Sequence, residues 1–187
     1  IRESYLEEIF REILDCKMMG IVNCVSPRVE SAYRIATAQN NLLVEEGPDD
    51  SCIVIINKNN PLARYPQLTT GQLKELHLCF NPKRDQAFVY REIYQYFSNT
   101  IRGINIPQQE NLLRLIALEP MLAAVLPKSA LISQGEWSEK ISGKTVADFP
   151  MPGKIWLIYP EKLSQEENTL LNILRDSFRI LKNNILT

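Results

Sequence analysis

Histidine is almost absent from this sequence of 187 residues, in which His77 is the only copy. A Ser-His-Asp or Cys-His mechanism therefore has one candidate base, and it lies at the entry to a predicted strand, where partial burial is ordinary. The four cysteines form no Cys-x-x-Cys pair, and no His and Cys lie at the spacing of zinc ligands. We therefore predict no catalytic residue, no metal and no other cofactor.

An excess of basic charge and long apolar runs are also missing. Lys and Arg number 21 against 22 Asp and Glu, so the formal net charge is -1 and no positive excess can neutralise a phosphate backbone. No run approaches the ~18 apolar residues of a membrane span, and no signal-peptide region follows Ile1. We expect that this chain neither binds DNA nor associates with a membrane. The cysteines, all in or beside apolar stretches, favour buried thiols in a reducing cytoplasm.

Short apolar runs alternate with segments of helical period, which indicates an α/β fold. The predicted strands are 18–22, 52–56, 76–80, 101–108, 121–127 and 154–159, and the predicted helices are 4–15, 71–76, 87–98, 109–119 and 164–186. Helix 109–119 has leucines nearly all round and is expected to be deeply buried. Residues 28–50 are ambiguous between a weak helix or loop, a strand at 41–44 and a polar turn at 45–50, and residues 128–153 predict turns.

The most informative stretch runs from Ser51 to Leu78. Its five apolar residues after Ser51 are typical of a fully buried strand. They are followed by a polar break, then Pro-Leu-Ala, then Thr69 as a hydroxyl N-cap for a short helix, and then a second apolar strand. This order resembles the effector-binding domain of LysR-type transcriptional regulators, although Asn60 stands where that family usually has His.

The resemblance implies an α/β fold of two Rossmann-like lobes joined by two crossover strands, of the type 2 periplasmic-binding-protein-like class. We expect a discontinuous first lobe of residues 1–56 and 155–187, with residues 57–154 inserted as the second lobe. Domain interfaces are frequent sites of small-molecule binding, so a ligand cleft beside the crossover strands is expected. The family's first strand-helix unit is expected to be missing before Ile1.

Polar residues follow two of the predicted strands. Asn23 and Ser26 come after the first strand, and Asn81, Lys83 and Arg84 come after strand 76–80, at strand ends where open α/β sheets bind ligands. Lys83 and Arg84 also precede a predicted helix, so charge and backbone N–H groups can act together on an anion. The alternative interpretations are that the Ser26 hydroxyl only caps a turn and that Lys83 and Arg84 form a solvent-exposed basic turn.

We therefore predict a domain that senses a small-molecule effector, with a carboxylate or another anion as the effector class. The resemblance further implies a homodimer or homotetramer and contact with DNA only through a helix-turn-helix domain outside this chain. A solute-binding protein of a transporter has the same two-lobed fold and is the alternative. An enzyme is a third class, but no acidic pair is set off as an acid and a base.

Overall fold

The computed structural model describes residues 13, 15, 19–24, 27–80, 103–106, 109–131, 137 and 139–185. The chain forms two compact units, one of residues Ile1–Asp50 with Gly153–Thr187 and one of residues Ser51–Pro152. The predicted helix 87–98 lies outside the described residues. The predicted helix 4–15 is described only at Ile13 and Asp15, both helical.

The described elements alternate between strand and helix along the chain. In order they are β1 (Gly20–Cys24), α1 (Pro27–Gln39), β2 (Leu42–Asp49), β3 (Cys52–Asn57), a 3-10 helix (Pro61–Arg64), β4 (Gln67–Leu68), α2 (Thr70–Leu73), β5 (His77–Phe80), β6 (Gly103–Asn105), α3 (Gln109–Leu118), β7 (Leu122–Pro127), a second 3-10 helix (Lys128–Leu131), β8 (Ile141–Val146), β9 (Lys154–Pro160) and α4 (Gln165–Ile185).

The first unit contains a three-stranded sheet in the order β1-β9-β2, with β9 antiparallel to both neighbours. The ambiguous segment before β2 is a helix, α1. It starts at Pro27, whose fixed φ suits the first helical position, and it buries Tyr33 and Thr37, four residues apart on one face. It ends before Asn41, which has a left-handed φ of 51°, the conformation that commonly follows a helix.

The polar turn predicted at 45–50 is wrong, because β2 continues to Asp49. The pairing of β2 with β9 shifts its register between Glu46 and Asp49, which places the breaker residues Gly47 and Pro48 in an irregularity. β2 is an edge strand of this sheet, where a proline does not interrupt a ladder on its free side. A Cβ at Gly47 would lie 2.8 Å from the Phe178 ring, so packing also requires this glycine.

The second unit contains a six-stranded sheet in the order β4-β8-β3-β7-β5-β6. β3 pairs antiparallel with β7 and β8. Its apolar residues 52–56 are buried as predicted, and Asn57, which was expected in the polar break, extends the strand by one further buried residue. β3 and β9 lie in different sheets and do not pair with each other. Ile53 and Ile55 of β3 pack with Leu112 and Ile116 of α3 in the main core of this unit.

The turns predicted for 128–153 are also wrong in part, because β8 lies within that segment. Gly143 suggested a break, but it stands in mid-strand. An added Cβ there would overlap Ile53 Cδ1 and lie 2.9 Å from Leu131 Cδ1. The glycine therefore allows the buried Ile53 and the partly buried Leu131 to pack over the strand, which is a common reason for glycine inside a sheet.

The deep burial predicted for α3 does not occur on all sides. Leu112, Leu113 and Ile116 are buried, whereas Leu115 is 39% exposed and Leu118 is 58% exposed. Leucines are good helix formers on any face, so their number did not report how many faces are covered. α3 is an amphipathic helix with one face on the sheet.

Two asparagines, one at the end of β3 and one just after it, bind the end of α3 and the turn that follows it. Asn57 Nδ2 donates to the carbonyl oxygens of Ile116 and Ala117 at 3.0 Å each. Asn60 Nδ2 donates to the Pro120 carbonyl at 2.5 Å, while Asn60 Oδ1 accepts from the Leu62 N–H at 2.8 Å. Both side chains are buried. They satisfy carbonyl groups that have no partner at a helix C-terminus, so Asn60 has a structural role.

The predicted N-cap of the short helix is confirmed. The Thr69 side chain accepts from the Gln72 N–H, and the Gln72 side chain accepts from the Thr69 N–H, which is a complete capping box. The helix itself ends at Leu73, earlier than the predicted residue 76. The following strand, β5, covers residues 77–80 of the predicted 76–80.

Candidate functional site

Asn23 is the one predicted effector-binding residue that the structure describes. It lies within β1, opposite Ile155 of β9, rather than in a turn after the strand as expected. Its Nδ2 donates to Asp50 Oδ2 at 3.0 Å. Its Oδ1 is buried and has no hydrogen-bond partner among the residues that the structure describes. Because buried polar atoms are nearly always paired, this oxygen is an acceptor to which a ligand could donate.

Asp50 orients this amide. It is only 1% exposed, and it is the last residue of the first unit before the chain enters the second. Its backbone N–H donates to the Gly153 carbonyl at 2.8 Å. A buried carboxylate is costly unless donors surround it, so the hydrogen bond from Asn23 serves both residues. It also leaves the amide with its oxygen turned away from Asp50 Oδ2.

Trp156 carries another buried polar atom without a partner, the indole Nε1. The Trp156 ring is fully buried. Its centroid is 5.8 Å from the centroid of the Tyr33 ring and 4.9 Å from Arg34 Cζ. Trp156 is opposite Val22 in the sheet register. Because side chains alternate between the faces of a strand, Trp156 and Asn23 point to opposite faces, and the two unpaired atoms do not form one site.

A charged cluster ties α4 to the sheet of the first unit. Arg175 donates from Nε to Glu45 Oε2 at 2.9 Å and from Nη2 to Glu45 Oε1, and Tyr159 donates its hydroxyl to the same carboxylate. The hydrogen bonds from Arg175 hold the pKa of Glu45 below its ordinary value. Burial, and next the Glu45 carboxylate, raise the pKa of Tyr159. Both shifts keep the present charges at neutral pH, so this cluster is a structural clamp.

Cysteine and metal chemistry find little support in the described part of the chain. Cys24, Cys52 and Cys79 are buried, as predicted, and burial raises the pKa of Cys79 to about 11. Thiolate is the reactive form, so the Cys79 thiol is inert at neutral pH. No three His, Cys, Asp or Glu residues in the described ranges are grouped to hold a metal ion. No helix in these ranges is long and apolar enough to cross a membrane.

The remaining predicted site residues, Ser26, Asn81, Lys83 and Arg84, lie outside the described residues. Sequence reasoning missed Asp50, which was included in the predicted polar turn. The signal in the sequence was an acidic residue two positions before a fully apolar strand. Such a position is expected to be near the buried core, where a carboxylate needs hydrogen-bond donors. His77, the only histidine, is partly buried at the start of β5, and its backbone N–H donates to the Met121 carbonyl.

Solved structures share this fold over nearly the whole chain. The regulatory domain of Synechocystis CcmR, in complex with 2-PG, is 18% identical with a TM-score of 0.68, and the match covers 94% of this chain and 80% of that one. The regulatory domain of MetR, a LysR family regulator from N. meningitidis, is 15% identical with a TM-score of 0.62, covering 89% and 73%. This chain has the LysR regulatory-domain fold.

A full-length BenM variant shows the same LysR regulatory-domain fold, at 12% identity and a TM-score of 0.66. That match covers 96% of this chain and 57% of the BenM chain. No protein-family model and no curated protein matches this sequence. The predicted α/β fold class, the type 2 periplasmic-binding-protein-like fold of LysR regulatory domains, is confirmed.

Proposed function

We propose that this chain is the effector-sensing and oligomerisation domain of a LysR-type transcriptional regulator. The observation that carries the proposal is the match of 94% of the chain to a regulatory domain solved with a small molecule, 2-PG. The similar structures described above belong to transcriptional regulators, which favours this function over a solute-binding protein of a transporter. It also favours a non-enzymatic role.

The effector contacts Asn23 and Ser26 in this proposal, and Asn81, Lys83 and Arg84 supply the anion-binding groups. Support comes from the Asn23 amide, whose Nδ2 donates to Asp50 while its buried Oδ1 has no partner among the described residues. The proposed effector class is a carboxylate or another small anion, because Lys83 and Arg84 are cations that pair with such a group.

The domain works within a longer cytoplasmic regulator that forms a homodimer or homotetramer. DNA is contacted through a helix-turn-helix domain outside this chain, which accords with the net charge of -1 and with the 57% of full-length BenM that the chain spans. Effector binding changes regulation only through a difference in affinity between two arrangements of the protein.

The coding sequence directly before Ile1 tests the class of protein. A helix-turn-helix segment is the expected result. A secretory signal segment in its place would overturn the regulator and support the transporter alternative, because a solute-binding protein must be exported.

Isothermal titration with a carboxylate library tests the effector site. Hits on the wild-type chain are expected to bind at least tenfold more weakly to Asn23→Ala and to the double variant Lys83→Ala with Arg84→Ala. Lys162→Ala, an exposed lysine of the first unit, is the matched control and should bind normally. A hit that binds both site variants with wild-type affinity would show that the effector is bound elsewhere.

A further inference from the structure

The second unit contains an open cavity of about 500 Å³ beside the 3-10 helix Pro61–Arg64. Three cationic side chains line it, those of Lys58, Arg64 and Lys144, together with Ser142. None of the described residues lining the cavity is acidic. It is therefore a concave surface with a formal charge of three and no internal counter-charge.

Lys144 is the most informative of these cations. It lies on β8, an interior strand with β4 on one side and β3 on the other, and it is opposite Val54, which is fully buried. The lysine itself is partly buried, and no ion pair joins it to a carboxylate in the described parts of the chain. An anion in the cavity would therefore give this ammonium group a charged partner.

Ser142 gives a second, independent indication. It lies two residues before Lys144, so both side chains are on the same face of β8. Its Oγ is buried and lacks a hydrogen-bond partner within the described part of the chain. A hydroxyl group can rotate to donate to an oxyanion, and the cavity beside it is lined with positive charge.

The main chain of Lys58 and the side chain of Arg64 are held beside the cavity by neighbouring residues. The Lys58 backbone N–H donates to the Lys140 carbonyl at 2.8 Å. Arg64 Cζ is 5.0 Å from the Tyr65 ring centroid, and its Nη2 donates to the Tyr65 hydroxyl at 3.0 Å. Four of the five guanidinium donors are not used by that bond. The rim is thus partly ordered without a carboxylate.

We propose that this cavity binds a small oxyanion of two or more negative charges, of which phosphate is the simplest. A single carboxylate would leave two of the three cations without a partner, whereas a dianion neutralises most of the charge and offers several acceptors to Lys144, Arg64 and Ser142. The site lies wholly within residues Ser51–Pro152, and it is separate from the residues proposed for the effector.

Thermal denaturation with inorganic phosphate tests the site, at slightly alkaline pH and at an ionic strength kept constant with sodium chloride. A ligand that binds only the folded state raises the melting temperature until the site saturates. Lys144→Gln removes the charge at similar length, and Ser142→Ala removes the hydroxyl. Lys74→Gln, an exposed lysine of the same unit that does not line the cavity, is the matched control.

We expect a saturable stabilisation of the wild type and of Lys74→Gln by phosphate. Lys144→Gln should need at least tenfold more phosphate for the same shift, and Ser142→Ala severalfold more. Without phosphate, Lys144→Gln should melt close to the wild type, because the substitution breaks no ion pair among the described residues. Equal shifts in Lys144→Gln and wild type, or equal stabilisation by sodium chloride or sodium acetate at the same ionic strength, would overturn the proposal.

Discussion

Replacement of Asn57 by alanine is expected to destabilise the second unit by about 3 kcal/mol. The Asn57 side chain is 3% exposed, and its Nδ2 is the donor to the Ile116 and Ala117 carbonyl oxygens, at 3.0 Å each. A buried acceptor left without its partner costs about 1–3 kcal/mol. Two such losses, moderated by water entering the space of the deleted amide, give the expected value.

Asn57→Asp separates hydrogen bonding from volume. The aspartate keeps the shape and can still accept from the Asn59 N–H, which is 2.8 Å from Asn57 Oδ1, but it has no donor for the two carbonyl groups. It should therefore destabilise the protein at least as much as alanine. Asn59→Ala, at an exposed neighbour, should change the free energy of unfolding by no more than ~0.5 kcal/mol.

Urea denaturation followed by circular dichroism measures these differences. The midpoint should fall in the Asn57 variants while the slope m stays constant, because the surface exposed on unfolding is unchanged. A loss below about 1 kcal/mol in Asn57→Ala, the contribution of one ordinary hydrogen bond, would refute the reasoning. Wild-type stability of Asn57→Asp would refute it as well.

Three further predictions concern packing, pH and thiol reactivity. Gly143→Ala should lower the free energy of unfolding by about 1–3 kcal/mol, measured by the same urea assay, because its Cβ would overlap Ile53. The pKa of Glu45 is lowered, so its ion pair with Arg175 contributes fully to stability above the ordinary carboxyl pKa. This contribution is lost as the pH falls through the lowered pKa, and the difference in melting temperature between wild type and Glu45→Gln should disappear over the same pH range. Cys79, with a pKa of about 11, should resist iodoacetamide at pH 8 in the folded chain, and rapid labelling seen by mass spectrometry would contradict its burial.

Elements with a local cause were predicted well. The Thr69 N-cap and the five buried apolar residues 52–56 of β3 follow from neighbouring side chains and from an uninterrupted apolar run. Two of the errors occurred at glycine, a residue that predicts turns. Gly47 and Gly143 instead lie in strands, where the lack of a side chain leaves space for Phe178 and Ile53.

The candidate site divides in the same way. Asn23 was identified from its place at the end of an apolar strand, which local pattern reveals. Its partner Asp50 is 27 residues away, and the cavity joins Lys58 and Arg64 to Lys144 through the pairing of β3 with β8. Strand order and register decide which of these distant residues come into contact, and both depend on pairing between segments far apart in the sequence.

The sequence by itself determined the α/β class, the buried β3, the Thr69 cap and the lack of a net positive charge, because each depends on composition or on neighbours within one turn or strand. Only the tertiary structure decided that β3 belongs to the sheet of the second unit, that one face of α3 stays exposed, and that Asn23 is oriented by Asp50. Those outcomes depend on which distant segments exclude water together, and no local pattern encodes that choice.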